Sequence, residues 1–354
     1  MSKVIAVATE DAPTRVTQSE VREFTLEIFS QRRSDMERMI GVFDNPSVAT
    51  RHFTENTGWY GKEHGFAERN ELYVKSAVTM SASAAVRCLD AAGLGTEQVS
   101  HILFVSSTGL STPSIDARLA NVLKFNQHIR RTPIWGLGCA GGAAGLSRAM
   151  DYTRARPEDA VLLIAIELCG LTFQKDDYSK SNLIGTSLFS DGCAAALIVG
   201  EDHPLAAKPG VNLLDSFSTI YPDSLEVMGW EVKDTGLRVI FSRDIPTIVK
   251  ECVKPNIQEF VSGKGLTLND IRHYVTHPGG LKVINAYQEA LSLPDDSLNF
   301  SRKVLRDHGN MSSPSVLYVL KEFMDAMEYG PGEHGLISAL GPGFSSELIL
   351  FNAD

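Results

Sequence analysis

The sequence has few cysteines, and they form no pattern that would bind a metal. Its five cysteines are scattered through 354 residues, with no Cys-x-x-Cys pair and no Cys/His cluster. Zinc sites need closely spaced Cys or His ligands, and a disulfide framework is normally built from an even number of cysteines. We therefore expect free thiols, no metal and a reducing, cytoplasmic environment.

Long apolar runs and an excess of positive charge are also missing. No stretch approaches the ~20 apolar residues of a membrane-spanning helix, and the start, Met1–Ala8, is too short and too polar afterwards for a signal peptide. The formal net charge is -10, which argues against nucleic acid or an anionic membrane as a partner across the whole surface. An anionic small substrate would need a local basic patch.

What is present is an ordinary globular composition, with 43% hydrophobic and 21% charged residues. The length exceeds that of most single domains, so we expect two subdomains or one duplicated unit. Strand-like runs alternate with helical patterns, which predicts an α/β fold with a largely parallel core. The clearest segments are the strands Val4–Ala8, Ile102–Ser107 and Ala160–Ile166 and the helices Thr17–Phe29, Glu68–Ala92, Ile115–Leu123 and Val316–Met324.

Cys139 lies at the centre of a glycine-rich segment, Trp135-Gly-Leu-Gly-Cys-Ala-Gly-Gly-Ala-Ala-Gly-Leu-Ser147. The pattern predicts a strand, a tight turn and a helix, with the thiol at or near the helix N-terminus. A free thiol has a pKa near ~8.5, and a helix N-terminus with a nearby imidazolium can lower it to roughly 3.5–7.5. A buried cysteine acting as a small hydrophobe is the alternative, and the segment alone leaves both roles open.

Pieces of the first half recur in the second half in the same order. The matched pieces are Thr96–Ser106 with Thr267–Thr276, Gly138–Cys139 with Gly309–Asn310, and Asp191–Val199 with Gly341–Leu350. This echo suggests two copies of one α/β unit, which we assign to residues 1–200 and 201–354. In such a duplication Cys139 and Asn310 would be pseudo-symmetric and would face one pocket.

His277 follows a predicted strand and precedes Pro278-Gly-Gly280. This places an imidazole at the C-terminal end of a core strand, where ligand sites of α/β proteins lie. With Cys139 and Asn310 it would allow nucleophilic chemistry on a thioester. The imidazole can hold the sulfur as thiolate, and imidazole and amide can form an oxyanion hole worth roughly 3–4 kcal/mol per donor. The motifs contain no carboxylate, and this chemistry needs none.

Four motifs resemble those of the type III polyketide synthases, the chalcone-synthase-like members of the thiolase superfamily. They are Gly138-Cys139-Ala140, His277-Pro-Gly-Gly280, Gly309-Asn310-Met-Ser-Ser313 and Gly341-Pro342-Gly343, in the family's order. The match spans roughly Val4 to Phe351 and is closer to bacterial than to plant members. The resemblance implies a thiolase-like, five-layered αβαβα fold that is internally duplicated, a homodimer, and no metal or organic cofactor.

The resemblance also implies a reaction. Cys139 would accept an acyl starter from a CoA thioester, while His277 and Asn310 would bind malonyl-CoA, promote loss of carbon dioxide and stabilise the enolate. The enolate would attack the Cys139 thioester and lengthen the chain. Repetition and ring closure would then give a pyrone or a phenolic ring.

Departures from the plant pattern point to the starter. Phe189 corresponds to the family's gatekeeper phenylalanine, whereas Val239 stands at the second gatekeeper position and would widen the passage. Bacterial alkylpyrone-forming members resemble this chain in having a cysteine at the position of Cys169. In those members the cysteine lies beside a tunnel for a long alkyl chain. We therefore expect a long-chain acyl-CoA starter with malonyl-CoA as extender, and alkylpyrone or alkylresorcinol-type products. Further candidate substrate-binding residues are Thr108, Thr112, Gly185, Thr186, Ser312, Leu340, Gly341, Pro342 and Gly343.

Arg38 alone aligns plausibly with the basic residues that grip CoA in plant members, and a solvated helix charge is the alternative for it. A ketoacyl synthase III-like enzyme shares the Cys-His-Asn set and would stop after one condensation. A papain-like Cys-His-Asn hydrolase is a more distant alternative, because its cysteine lies near the mature N-terminus. An acyl-binding pseudo-enzyme is the non-enzymatic alternative, and the presence of all three reactive side chains argues against it.

Overall fold

The computed structural model describes residues 1–29, 40–44, 47–242, 245–326, 329–330 and 332–354. The strands are β1 (Ser2–Asp11), β2 (Thr14–Thr17), β3 (Thr50–Phe53), β4 (His101–Val105), β5 (Arg130–Ile134), β6 (Ala160–Leu168), β7 (Asp191–Gly200), β8 (Val211–Ile220), β9 (Met228–Lys233), β10 (Gly236–Phe241), β11 (Ile271–Thr276), β12 (His334–Gly341) and β13 (Ser345–Ala353). The helices are α1 (Gln18–Ile28), α2 (Thr57–Tyr60), α3 (Phe66–Ala92), α4 (Ile115–Val122), α5 (Gly141–Ala155), α6 (Lys180–Leu188), α7 (Ile245–Ile248), α8 (Lys254–Ser262), α9 (Leu281–Leu291), α10 (Asn299–His308) and α11 (Ser315–Ala326).

The predicted helices and strands are present within a few residues, and local signals explain their ends. Thr17 caps α1 in a capping box with Glu20, and Gly93 ends α3 in the left-handed conformation. Short capped turns at Thr96–Gln98 and Leu268–Asp270 lead into β4 and β11, as the internal echo predicts. No helix in the described ranges is both long and apolar enough to cross a bilayer.

Nine strands form one sheet in the order β11-β12-β13-β8-β1-β7-β6-β4-β5. The expectation of a largely parallel core is wrong. Among the described strands of this sheet, parallel pairs join β4 to β5 and β6 and join β11 to β12, and the other neighbours are antiparallel. At β12 and β13 the reason is the short connection Pro342–Phe344, which allows a hairpin but no crossover.

The sheet shows the internal duplication. Apart from β5, which lies outside β4 at one edge, the sheet consists of two matching sets, β4-β6-β7-β1 and β11-β12-β13-β8. Each set begins with a parallel pair and continues with antiparallel pairs. The two sets meet over a short contact in which Ser2–Val4 pairs with Val211–Leu213. The division into residues 1–200 and 201–354 stays a prediction.

Successive side chains of a strand point to opposite faces of the sheet, and each face packs against a different hydrophobic core. Together the two halves of the sheet and the helices on their faces form five layers. In β6, Val161, Leu163 and Ala165 face a central core with α5 and α11, while Leu162, Ile164 and Ile166 pack against α3. In β12, Ile337 and Ala339 face the central core, while Leu336 and Leu340 pack with α8 and α9. The order of layers is therefore helix, one half of the sheet, central helices, the other half of the sheet, helix, as the resemblance implies.

Small residues in α5 allow it to pack in the central core, between the two halves of the nine-stranded sheet. A Cβ atom at Gly142 would come 2.2 Å from the Ser313 carbonyl oxygen, and one at Gly145 would come 2.5 Å from Leu163 Cδ1. The glycines and alanines after Cys139 therefore serve the close packing of the helix that follows the thiol.

Candidate active site

Cys139, His277 and Asn310 line one cavity with a volume of about 810 Å³. They come from three connections: the β5–α5 turn, the β11–α9 segment and the α10–α11 segment. Residues of α6, β10 and α9 form much of the surrounding wall. The cavity is within the size range of sites that enclose a small organic ligand.

Cys139 lies in a 3₁₀ turn, Gly138–Ala140, that leads directly into α5. The turn is clamped by the segment after β12. A Cβ atom at Gly341 would come 2.5 Å from the Leu137 carbonyl oxygen, and one at Gly138 would come 2.8 Å from Pro342 Cδ. Gly341 and Pro342 therefore fix the nucleophile turn by close packing. Gly343, with φ of +130°, turns the chain into β13.

His277 directly follows β11, and its backbone N–H donates to the Ser338 carbonyl at 2.8 Å. The side chain is buried, and neither ring nitrogen has a hydrogen-bond partner among the described residues. Burial lowers the pKa of His277 to about 3. The neutral imidazole therefore offers one donor and one acceptor to a molecule in the cavity.

Asn310 is held by its backbone and oriented by its neighbour. Its N–H donates to the Leu188 carbonyl at 2.9 Å, and its side-chain Oδ1 accepts from the Ser312 N–H at 2.8 Å. Because Oδ1 is engaged, Nδ2 is the group left to donate; one contact is to the Gly279 carbonyl at 3.3 Å. The amide therefore presents its donors to the site.

The environment of the thiol does not lower its pKa at rest, contrary to the sequence-based expectation. Burial is the largest cause and raises the pKa of Cys139 to about 11, although hydrogen bonds from Ser312 and Asn310 oppose the rise. The distance from Cys139 Sγ to Ser312 Oγ is 3.4 Å. Burial thus favours the neutral form of both the Cys139 thiol and the His277 imidazole.

Sequence reasoning missed a buried carboxylate, Glu167, at the end of β6. It accepts hydrogen bonds from the Ser107 N–H and Thr108 Oγ1, both at 2.8 Å, and from Ser313 Oγ at 2.9 Å. Burial raises the pKa of Glu167 to about 7, and its charge in turn raises that of Cys139. An acidic residue within an otherwise apolar strand was the signal that could have identified it.

A second, narrow cavity of about 60 Å³ collects the residues predicted to line an alkyl tunnel. Cys169, Gly185, Thr186, Phe189 and Val239 all contribute to its wall, together with phenylalanines of α1 and β3. The Phe189 ring stacks on Phe241 with centroids 5.5 Å apart, and Phe241 lines the larger cavity. The Phe189–Phe241 pair therefore stands between the two cavities.

Other candidates are placed differently. Leu340 lines the large cavity, whereas Thr108 lines neither cavity. The Thr108 hydroxyl instead donates to Glu167 and accepts from the Leu168 N–H. Thr112 is also outside both cavities, since it lies exposed on the loop before α4. Arg38 falls outside the described residues.

Two lysines that sequence reasoning missed contribute to the large cavity. Lys180 and Lys282 both line it and are exposed. Lys282 comes two residues after the His277–Gly280 motif, and that proximity was the available signal.

The sequence matches two family models in tandem. Residues 55–203 match the chalcone and stilbene synthases, N-terminal domain, and residues 212–353 match the chalcone and stilbene synthases, C-terminal domain. Together the two matches cover most of the chain.

Individual proteins similar to this chain belong to the same family. A Bacillus subtilis (strain 168) protein, provisionally named a chalcone synthase, is 44% identical over 99% of both chains. The 1,3,6,8-tetrahydroxynaphthalene synthase of Streptomyces peucetius subsp. caesius is 34% identical over 99% of this chain and 92% of its own. The crystal structure of the Streptomyces coelicolor A3(2) enzyme of that name superposes with a TM-score of 0.94 at 28% identity, covering 99% of each chain. The chain therefore belongs to the chalcone and stilbene synthase family, the type III polyketide synthases, which are acyltransferases that use malonyl-CoA in decarboxylative condensation.

Proposed function

We propose that this polyketide synthase loads a long-chain acyl group from acyl-CoA onto Cys139, extends it with malonyl-CoA and cyclises it to an alkylpyrone or alkylresorcinol-type product. Two observations support the proposal. The large cavity of about 810 Å³ around Cys139 has room for a long acyl chain, and the apolar pocket lined by Phe189, Cys169 and Val239, at about 60 Å³, would take only the end of its tail. An aliphatic tail would gain about 0.8 kcal/mol for each methylene that leaves water.

Loading requires proton transfer within the Cys139–His277 pair. As Sγ attacks the thioester carbonyl carbon, the neutral imidazole takes the thiol proton. The carbonyl oxygen becomes an oxyanion, and Asn310 Nδ2 donates to it. When the oxyanion collapses, the bond from carbon to the CoA sulfur breaks and the imidazolium returns the proton to that sulfur. Cys139 is then acylated and His277 is neutral again.

Extension uses the same two donors on a second thioester. The malonyl thioester carbonyl accepts hydrogen bonds from His277 and Asn310, and its carboxylate leaves as carbon dioxide. The electron pair of the broken carbon–carbon bond forms the enolate. Both donors are neutral, so they stabilise the enolate without readily protonating it. The enolate carbon attacks the Cys139 thioester, the carbon–sulfur bond breaks and Cys139 leaves as a thiolate. Uptake of one proton from solvent restores the thiol, and the loading step repeats with the longer chain.

The CoA end of the substrates requires positive charge near the cavity. Lys180 and Lys282 line its wall and are exposed, and we propose that they attract the CoA phosphates. Arg38 stays a sequence-based candidate for the same role. Replacing Lys282 with alanine would raise the KM for malonyl-CoA, and the effect would shrink at high salt.

We also propose a cytoplasmic homodimer formed through the outer edge of the first half. Strand β5 is the terminal strand of the sheet and is largely exposed. Three large apolar side chains near it, Leu110, Val122 and Trp135, are 47%, 56% and 51% exposed. An exposed edge with apolar side chains is typical of a surface that pairs with another chain. Light scattering of the purified protein tests the oligomeric state.

Product analysis tests the substrate. The protein is incubated with malonyl-CoA and acyl-CoAs of increasing chain length, and products are identified by mass spectrometry. We expect alkylated products with several extensions, most abundant for long starters. Aromatic products from malonyl-CoA alone would contradict the long-chain proposal, and products of a single extension would favour a ketoacyl synthase III-like reaction. Cys139→Ala should abolish acyl loading, while His277→Ala should suppress malonyl decarboxylation.

A further inference from the structure

Asp11, His52 and His308 form a cluster of metal-type ligands outside the cavity that holds Cys139. Their potential ligand atoms lie within 4.8 Å of one another. Asp11 ends β1, His52 lies in β3 and His308 ends α10, so three distant parts of the chain meet there. Because the positions are far apart in sequence, a search for closely spaced ligands does not find them.

The distances suit a small ion with nitrogen and oxygen ligands. His308 Nδ1 lies 3.0 Å from Asp11 Oδ1, and His52 Nε2 lies 3.9 Å from Asp11 Oδ2. Tetrahedral zinc with bonds near 2.0–2.1 Å separates its ligand atoms by roughly 3.3 Å. A shift of less than an ångström would bring each of these two pairs to that spacing, and the whole set of ligand atoms, which lie within 4.8 Å of one another, would have to close by up to about 1.5 Å.

Of the two imidazoles in the cluster, that of His52 makes no hydrogen bond with the described residues. His52 is 8% exposed, and its side chain makes no hydrogen bond with any described residue; its Nδ1 is fully buried without a partner. The ring nitrogen closest to Asp11 is Nε2, and because it makes no such hydrogen bond it is available to take a ligand. His308, by contrast, contacts Asp11 directly.

Neighbouring residues orient the Asp11 carboxylate, and the cluster is open to solvent. Tyr318 Oη donates to Asp11 Oδ1 at 3.1 Å, which is the kind of outer contact that orients a ligating carboxylate. The side chains of Asp11 and His308 are 37% and 22% exposed, so an ion can reach the cluster from solvent. Arg15 lies near His52 and opposes a cation, and the Asp11 carboxylate offsets it.

We propose that Asp11, His52 and His308 bind one divalent transition-metal ion of the zinc type, with solvent at the remaining position. Two imidazoles and one carboxylate suit zinc and its neighbours, whereas magnesium prefers an all-oxygen octahedral site. No thiol belongs to the cluster, which separates this site from any binding at the five free cysteines.

The ion would act as a structural clamp behind the active site. The backbone N–H of His52 donates to Ser190 Oγ at 2.9 Å, next to Phe189. His308 is two residues before Asn310, whose backbone pairs with that of Phe189. Joining β1, β3 and the end of α10 would therefore hold the segments that carry Phe189 and Asn310 against each other.

Metal binding by untagged, chelator-treated full-length protein tests the proposal. Equilibrium dialysis against Zn²⁺ followed by elemental analysis should give one tight ion per chain, with a raised Tm and no uptake of Mg²⁺. Asp11→Asn and His308→Gln should each weaken binding by about tenfold or more. His273→Gln is the matched control, because His273 also pairs with a carboxylate, Glu333 at 2.8 Å, and should bind zinc like the wild type.

Co²⁺ spectroscopy distinguishes this site from the cysteines. We expect weak visible bands without thiolate-to-cobalt charge transfer in the wild type, and loss of those bands in His308→Gln. Wild-type protein that takes up no ion, variants that bind as tightly as the wild type, or a thiolate band each overturns the proposal. If the wild type takes up no ion, the cluster is a hydrogen-bonded pair of Asp11 and His308 beside a His52 that has no ligand. His52→Gln is a third variant, and circular dichroism confirms that each variant is folded.

Discussion

The side-chain oxygen of Asn310 accepts a hydrogen bond from the backbone N–H of Ser312 at 2.8 Å. Ser312 adopts the left-handed conformation, with φ of +60°, which turns its N–H back towards the amide. This bond determines which end of the amide donates, and a change that keeps the bond but removes the donors can isolate the role of Asn310.

Asn310→Asp makes that change. The carboxylate still accepts from Ser312, but it offers no N–H and adds a negative charge beside the developing enolate. We expect malonyl-CoA decarboxylation to fall by about 10²–10³-fold, the range for loss of one oxyanion donor. Acylation of Cys139, followed by intact-protein mass spectrometry, should be retained to a measurable degree. Decarboxylation at the wild-type rate would remove Asn310 from the mechanism.

Cys169→Phe tests the pocket behind Phe189. The thiol of Cys169 is buried in the wall of a narrow cavity, so a phenyl ring would fill the space available to an alkyl tail. We expect the preferred starter to become shorter, while turnover of short acyl-CoAs is kept. Cys252→Ser, at a cysteine that lines neither cavity, is the control. The same chain-length profile in all three proteins would exclude the pocket as the site of the tail.

Gly142→Ala tests the packing of the central helix. The added Cβ atom would meet a backbone carbonyl, that of Ser313, at 2.2 Å, and a backbone contact cannot be relieved by a side-chain rotation. We expect a loss of stability of about 1–3 kcal/mol or more in urea unfolding. At Gly229 a Cβ atom would meet nothing within 4 Å, so Gly229→Ala should be nearly neutral. Equal stability of the two variants would contradict the packing argument.

The sequence predicted those parts of the site that depend on local signals. The strand, turn and helix around Cys139, and the capped turns before β4 and β11, follow from periodicity, glycines and capping residues within short windows. The three motif residues meet in one cavity, as the duplication suggested.

What the sequence could not predict depends on contacts between distant segments. The antiparallel pairs follow from the order in which strands insert into the sheet, which periodicity does not record. The pKa values of Cys139 and His277 are governed by burial, and burial emerges only when both halves pack. Glu167 was missed for the same reason, because its three donors come from the β4–α4 loop and from Ser313, far along the chain.

Glu167→Gln tests whether burial of the Glu167 carboxyl makes the free energy of unfolding depend on pH. Burial raises the pKa of Glu167 from 4.5 to about 7, so the folded protein binds this proton more tightly than the unfolded chain does. The stabilisation that comes from this tighter proton binding is fully present below about pH 4.5 and is lost as the pH rises through 7. At about 1.4 kcal/mol for each pH unit, the loss reaches up to about 3 kcal/mol.

Glutamine can keep the geometry without titrating. Its carbonyl oxygen can accept from the Ser107 N–H and Thr108, and its amide can donate to Ser313, whose hydroxyl is free to reverse. We therefore expect the stability of Glu167→Gln relative to wild type, measured by urea unfolding, to rise between pH 5 and pH 8. The difference between the two proteins cancels the titration of all other groups. A difference that stays constant across this range would show that the carboxyl has the same proton affinity in the folded and unfolded states, and that its three hydrogen bonds fully offset its burial.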